Sequence, residues 1–139
     1  IYAAGAFGGT VDFAPGPGVT LLTSVGNFDF FITKLNSAGQ LVWARTLGGI
    51  GTDGVASVAV DSSGNVLVTG FFQGTADFDP GAGVHNLTSN GVQDIYILKL
   101  DSTGNLVWVR QMGSTGQDEG RKITVDASGN VYTTGQFNG

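Results

Sequence analysis

Cysteine is absent from this chain, so neither a disulfide framework nor a thiolate metal site can hold it together. The absence does not fix a compartment. There are only 3 prolines and 1 histidine among 139 residues. A lone histidine, His85, makes neither a catalytic triad nor a zinc site. Cations are scarce: 6 Lys and Arg face 11 acidic residues, giving a formal net charge of −5. Only Arg121 and Lys122 adjoin, so no basic patch is present and nucleic acid is excluded as a partner. No apolar run approaches the ~18 residues of a membrane-spanning helix. No 3.6-residue periodicity is long enough for a helix of any kind. The chain opens on Ile1 with no signal peptide in view, and its ends cut through a repeat. The expectation is a slice of a longer polypeptide, with any targeting segment elsewhere.

Glycine is plentiful, at 24 residues, more than twice the usual share of about 7%. β-Branched and aromatic residues are plentiful too, so the glycine reads as punctuation between short strands and not as disorder. The stretch VAVDSSGNVLVTGFF, Val58 to Phe72, sets the pattern. Two apolar runs flank a tight turn, the signature of a β-hairpin. Asp61 caps its own turn, Gly64 accepts the left-handed conformation, and Asn65 leads into the second strand. That spacing predicts a three-residue loop built on a type I turn with a glycine bulge. The hairpin recurs as ITVDASGNVYTTGQF from Ile123, with Asp126, Gly129 and Asn130 in the same places. Asp101, Gly104 and Asn105 repeat the turn chemistry within DSTGN.

Sliding the sequence by 65 residues lays residues 1–65 on 66–130 without a gap, with roughly half the positions identical. One period carries four strand signals, near Val55–Val60, Val66–Phe72, Ile95–Leu100 and Leu106–Met112. Gln73 to Asp94 reads as a long Gly-rich connection, and Gly113 to Gly120 as a shorter one. Several strands are apolar on both faces, Ile95 to Leu98 for example, and such strands need cover on both sides. Four-stranded antiparallel sheets packed face to face meet that need in a β-propeller. A parallel β-helix would not use two tight hairpins per period. The expected division is a partial blade (strands two to four) with its connecting loop in residues 1–53, a complete blade in 54–112, and a connection plus half of a further blade in 113–139. Two periods cannot close a ring of four to eight blades. Further blades of the same polypeptide, or identical chains, are therefore the expected partners.

The elements VAVDSSGNVLVTG, DIYILKLDSTGNLVW and GSTGQDEG together resemble the SBBP family of bacterial β-propeller repeats, along essentially the whole chain. The resemblance implies one four-stranded blade per period, residence in large exported or cell-surface proteins, and no reaction. It sets apart the insert TADFDPGAGVHNLTSNG, matched by TVDFAPGPGVTLLTSVG one period earlier. That insert either carries ligand specificity or caps a blade edge.

Candidate chemistry is sparse. Trp43 and Trp108 are expected to pack between blades. Lys34 and Lys99 are expected to lay their stems over apolar surface with their amines in water. Asp12, Asp53, Asp77 and Asp118 occupy the long connections, and propeller connectivity brings those connections to one rim. Such a rim either binds Ca²⁺, with these four as candidate ligands, or is a solvated acidic surface. No cofactor is otherwise implied. The functional expectation is a noncatalytic module of an extracellular or cell-surface bacterial protein, binding a protein or glycan through its long loops. The alternative is a scaffold or subunit of an extracellular assembly or filament.

Overall fold

A computed structural model describes all 139 residues, and every regular element in it is a strand. The strands run β1 (Tyr2–Phe7), β2 (Thr10–Asp12), β3 (Leu21–Thr23), β4 (Asp29–Leu35), β5 (Leu41–Gly49), β6 (Gly54–Val60) and β7 (Val66–Phe72). They continue with β8 (Thr75–Asp77), β9 (Asn86–Thr88), β10 (Asp94–Leu100), β11 (Leu106–Met112), β12 (Glu119–Val125) and β13 (Val131–Gln136). All named strand pairs are antiparallel.

The central sheet has the order β6-β7-β10-β11, the up-and-down meander of one propeller blade. β1, β4 and β5 form the same meander one period earlier, and β12–β13 open it one period later. The sheets pack face to face: β12 lies on β6 and β7, and β1 lies on β6. This sandwiching explains the doubly apolar strands. In β7, VLVTGFF, every residue but Phe71 is buried, because a neighbouring sheet covers each face.

Each tight turn follows one scheme. Gly64 N–H donates to Asp61 O at 2.9 Å, and Asp61 N–H donates to Asn65 O at 3.0 Å. Asp61 Oδ1 accepts from the backbone N–H of Ser63 and of Asn65, both at 2.9 Å, which makes the carboxylate the centre of the loop. Gly64, Gly104 and Gly129 lie at φ +80°, +85° and +84°, where an L-residue is strained. An extra residue also recurs in the first strand of each blade, Ala56 in β6 and Arg121 in β12, as a bulge in the pairing with β7 and β13.

The long connection is not loop throughout. β8 and β9 form a short hairpin, and β8 pairs with the end of β5 in the preceding blade, Gly48 against Asp77 and Gly49 against Ala76. β2 and β3 are its counterpart in the first repeat. The hairpin therefore acts as a strap between blades and carries Phe78 into their interface. Phe78 is fully buried, 5.3 Å edge-on from Phe72 and 5.2 Å from Tyr96, while Tyr96 stacks on Phe30 of the preceding blade at 4.8 Å. The Tyr96 hydroxyl donates to Gly54 O at 3.1 Å, so the buried ring leaves no polar group unpaired.

Candidate functional site

Three kinds of surface in this fold bear polar chemistry: the connections that carry the acids, the strap tips, and the outer strands of each sheet.

The four acids singled out from sequence occupy two different settings. Asp12 and Asp77 cap the strap hairpins. Asp77 Oδ1 accepts from Asp79 N–H at 2.9 Å and His85 N–H at 2.8 Å, and Asp12 Oδ1 accepts from Ala14 N–H at 3.0 Å and Thr20 N–H at 2.8 Å. Those backbone donors at Thr20 and Ala14 hold the Asp12 carboxyl below its usual range. Asp53 and Asp118 are instead fully buried clamps between blades. Asp53 Oδ2 accepts from Gly49 N–H at 2.7 Å in the preceding blade, and its Oδ1 from Gln73 N–H at 3.1 Å beyond β7. Asp118 repeats the clamp between Ser114 N–H at 2.6 Å and Asn138 N–H at 2.8 Å. No three acidic or imidazole side chains converge on one point.

Sequence reasoning passed over a second buried pair, Asp29 and Asp94. Asp94 Oδ2 accepts from Asn90 N–H at 3.0 Å and from the side-chain amides of Asn90 at 3.0 Å and Gln111 at 2.6 Å. Asp29 lacks those amides, because Val25 and Thr46 stand where Asn90 and Gln111 stand one period later, and it keeps Val25 N–H at 2.8 Å. Burial pushes the Asp29 carboxyl up. Burial also pushes Asp53 up to about 6, against the pull of its two backbone donors and with a smaller push from the Asp29 charge. The signal was available in the 65-residue recurrence of both acids at the ends of apolar strands. What obscured it is that loop acids ordinarily face water. The turn acids behave in the opposite way. Asn65 and then Lys99 hold Asp61 low, the Asn105 N–H and the Thr103 hydroxyl hold Asp101 low, and Asn130 holds Asp126 low.

His85 is exposed, as are the strap tips Pro15–Val19 and Gly81–Val84, where Val19 and Val84 are each 72% exposed. The two tryptophans differ. Trp43 is buried at the junction with the next blade, whereas Trp108, expected in the same role, is only half-buried. The turn Asp101–Asn105 covers Trp43. Its carbonyls accept from Lys34 Nζ (Ser102 O, 2.9 Å), Trp43 Nε1 (Ser102 O, 3.2 Å), Arg45 Nη2 (Thr103 O, 3.1 Å) and Arg45 Nε (Gly104 O, 3.1 Å).

Comparison with known proteins agrees with this architecture. Residues 107–139 match the model of the SBBP family, a beta-propeller repeat. The WD repeat-containing protein L264 of Acanthamoeba polyphaga mimivirus is 30% identical across 74% of this chain, which covers 8% of that protein. The regulatory protein FlaEY of Caulobacter vibrioides is 29% identical across 80% of this chain, which covers 12% of it. The chain thus spans roughly a tenth of the length of these relatives.

Proposed function

Because this chain is built of SBBP-type β-propeller repeats, we propose that it is a noncatalytic binding segment of a larger exported, cell-surface bacterial protein, recognising a protein or glycan through its strap tips. The observation that carries the reading is the contrast between conserved frame and varied tip within one chain. Asp12 and Asp77 cap the two straps identically, yet Ala14, Pro17 and Thr20 of one tip face Asp79, Ala82 and His85 of the other. Exposed, varied loops on a repeated rigid frame are where recognition concentrates. Each buried acid accepts at least one backbone N–H, and no three acidic or imidazole side chains converge, at His85 or anywhere else. This arrangement supports a binding role over an enzymatic one.

A scaffold role is the second reading, and the pairing of β8 with β5 favours it, since that pairing serves cohesion between blades. Exchanging residues 79–85 for 14–20 in the parent polypeptide separates the two. Loss of binding on protein and glycan arrays, with an unchanged melting curve, supports recognition through the tips. Unchanged binding refutes it. Protease accessibility on intact cells tests the surface location.

A further inference from the structure

Gly26 and Gly91 hold the same place one period apart, and packing demands the glycine at both. A Cβ at Gly91 would collide with the backbone of Ser114 and Thr115 on the connection to the next blade. One at Gly26 would collide with the carbonyls of Gly49 and Gly51. The residue before the glycine is free to differ, and it is Val25 in one case and Asn90 in the other. Asn90 thereby completes an Asn-Gly pair, the dipeptide in which a main-chain nitrogen meets least hindrance in reaching the preceding side-chain amide. Asn90 is exposed, and the Gly91 N–H donates to no acceptor in the chain. The Asn90 amide nitrogen donates to Asp94 Oδ2 at 3.0 Å, alongside Asn90 N–H at 3.0 Å and the Gln111 amide at 2.6 Å. Asp94 is fully buried, and its Oδ1 has no hydrogen-bond partner, so this carboxylate depends on the donors at Oδ2.

We propose that Asn90–Gly91 is a self-modification site, at which the Asn90 amide converts to aspartate or isoaspartate and loosens the joint between two blades. The main-chain nitrogen of Gly91 attacks Asn90 Cγ and gives up its proton. A new N–Cγ bond forms, the Cγ–Nδ2 bond breaks, and Nδ2 leaves as ammonia with that proton. One water then opens the five-membered succinimide, at either carbonyl, to aspartate or to isoaspartate. No oxidant and no cofactor enters. The product matters because of what Asn90 holds. Asp94 loses a donor and gains a carboxylate beside it, a like-charge contact at a buried anion. Isoaspartate also adds a methylene to the main chain just before Gly91. The segment it displaces is the one that docks: Val92 N–H donates to Gly116 O at 3.0 Å, and Gln93 bridges Gln117. Val25 gives the first repeat the same glycine but nothing to convert, so the change is confined to one of the two joints and runs one way.

The test is peptide mapping by mass spectrometry of the parent polypeptide, aged in mildly alkaline and in mildly acidic buffer. The Asn90 peptide gains the mass of an amide-to-acid change, faster in the alkaline buffer, where the Gly91 nitrogen loses its proton more readily. Asn27 and Asn86, each followed by a larger side chain, stay intact, and mapping resolves Asn90 from the chain's other Asn-Gly pair, Asn138–Gly139. Hydrogen exchange of segment 91–94 then rises about tenfold, the equivalent of one lost hydrogen bond to a charged group. Asn90→Asp installs the product and shows the faster exchange without ageing. Asn90→Gln keeps an amide but closes a six-membered ring far more slowly, so ageing changes neither its mass nor its exchange. Asn90→Val, which copies the first repeat, is likewise unchanged by ageing. An Asn90 amide that persists after a free peptide of residues 86–94 has fully converted overturns the proposal. So does conversion that leaves the exchange of 91–94 as it was, or exchange that rises equally on ageing Asn90→Val.

Discussion

Gly104→Ala tests how blades are joined, because this glycine answers to two constraints that can be separated. The first is conformational. At φ +85° an alanine costs roughly 1–2 kcal/mol. The second is contact. The added Cβ would sit 3.1 Å from Arg45 Nε and 3.2 Å from two carbons of the Trp43 indole, so the turn or these side chains have to give by a few tenths of an ångström, at the expense of the contact between the blades. That shift weakens the bonds that Lys34, Trp43 and Arg45 make to the turn carbonyls. Hydrogen bonds from charged donors are worth about 1.5–3 kcal/mol each when buried, and less at a junction open to water. Losing part of this set adds about 2 kcal/mol. The total for Gly104→Ala is then about 3–4 kcal/mol. Gly39→Ala is the control. Gly39 closes the β4–β5 turn at φ +77° with nothing within 4 Å of its Cβ position, so it carries the conformational cost alone, about 1–2 kcal/mol. Urea melts followed by tryptophan fluorescence measure both, and Trp43 reports directly because the turn lies on it. Equal midpoint shifts for the two variants would refute the claim that this turn joins the blades.

Three further outcomes follow from the same geometry. Phe78→Ala costs about 3–5 kcal/mol and Phe13→Ala clearly less in the same denaturant assay, because Phe78 is fully buried between two sheets and Phe13 is only half-buried; equal costs refute the strap's role. Stability falls as pH rises from about 4 to about 6, since folded Asp53 keeps a proton in that window that the unfolded chain has released, a loss on the order of 2–3 kcal/mol. Below that window the lowered carboxyls of Asp61, Asp101 and Asp126 reverse the trend, because stability present above their ordinary range is lost as they protonate; Asp53→Asn flattens the upper limb, and a wild-type profile already flat there contradicts the reasoning. Thermal melts with calcium, magnesium and chelator superpose, because the connection acids already accept backbone donors; a calcium-specific shift abolished by Asp77→Asn would reverse this.

The repeated frame was legible because its determinants are local. Asp61, Gly64 and Asn65 form a turn from their own side chains and φ preferences, and the 65-residue recurrence reports everything built on it. The strap was not legible. Thr75–Asp77 forms a three-residue hairpin with Asn86–Thr88, as Thr10–Asp12 does with Leu21–Thr23, and pairs in addition with Gly48 and Gly49 of a different blade; three residues carry too little pattern to announce either partner. The clamps were half legible. Asp53 and Asp118 stand out in the sequence as a recurring pair, read there as calcium candidates on a rim, but their burial depends on neighbouring sheets closing over them. Trp43 illustrates the converse: its burial under the Asp101–Asn105 turn belongs to the next repeat, and its own flanking residues do not announce it.

The pairing of β8 with β5 changes what counts as a unit in this molecule. The sequence repeats every 65 residues, and each sheet is one meander, but the hydrogen bonds cross from each repeat to the one before it. The stabilising step is therefore offset from the step that gene duplication copies. In a repeat array, stability is approximately the sum of what each repeat contributes alone and what each interface between neighbours adds, and here the strap belongs to the interface part. A lone repeat excised at its sequence boundaries would carry a strap with nothing to strap to, and a β5 with nothing laid along it. Such an array grows or shrinks safely only by whole repeats, because a partial deletion leaves one strap and one edge unmatched at the junction. Local opening then spreads: releasing one blade uncovers the edge of the next, and the chain melts as a row of coupled segments instead of a set of independent ones.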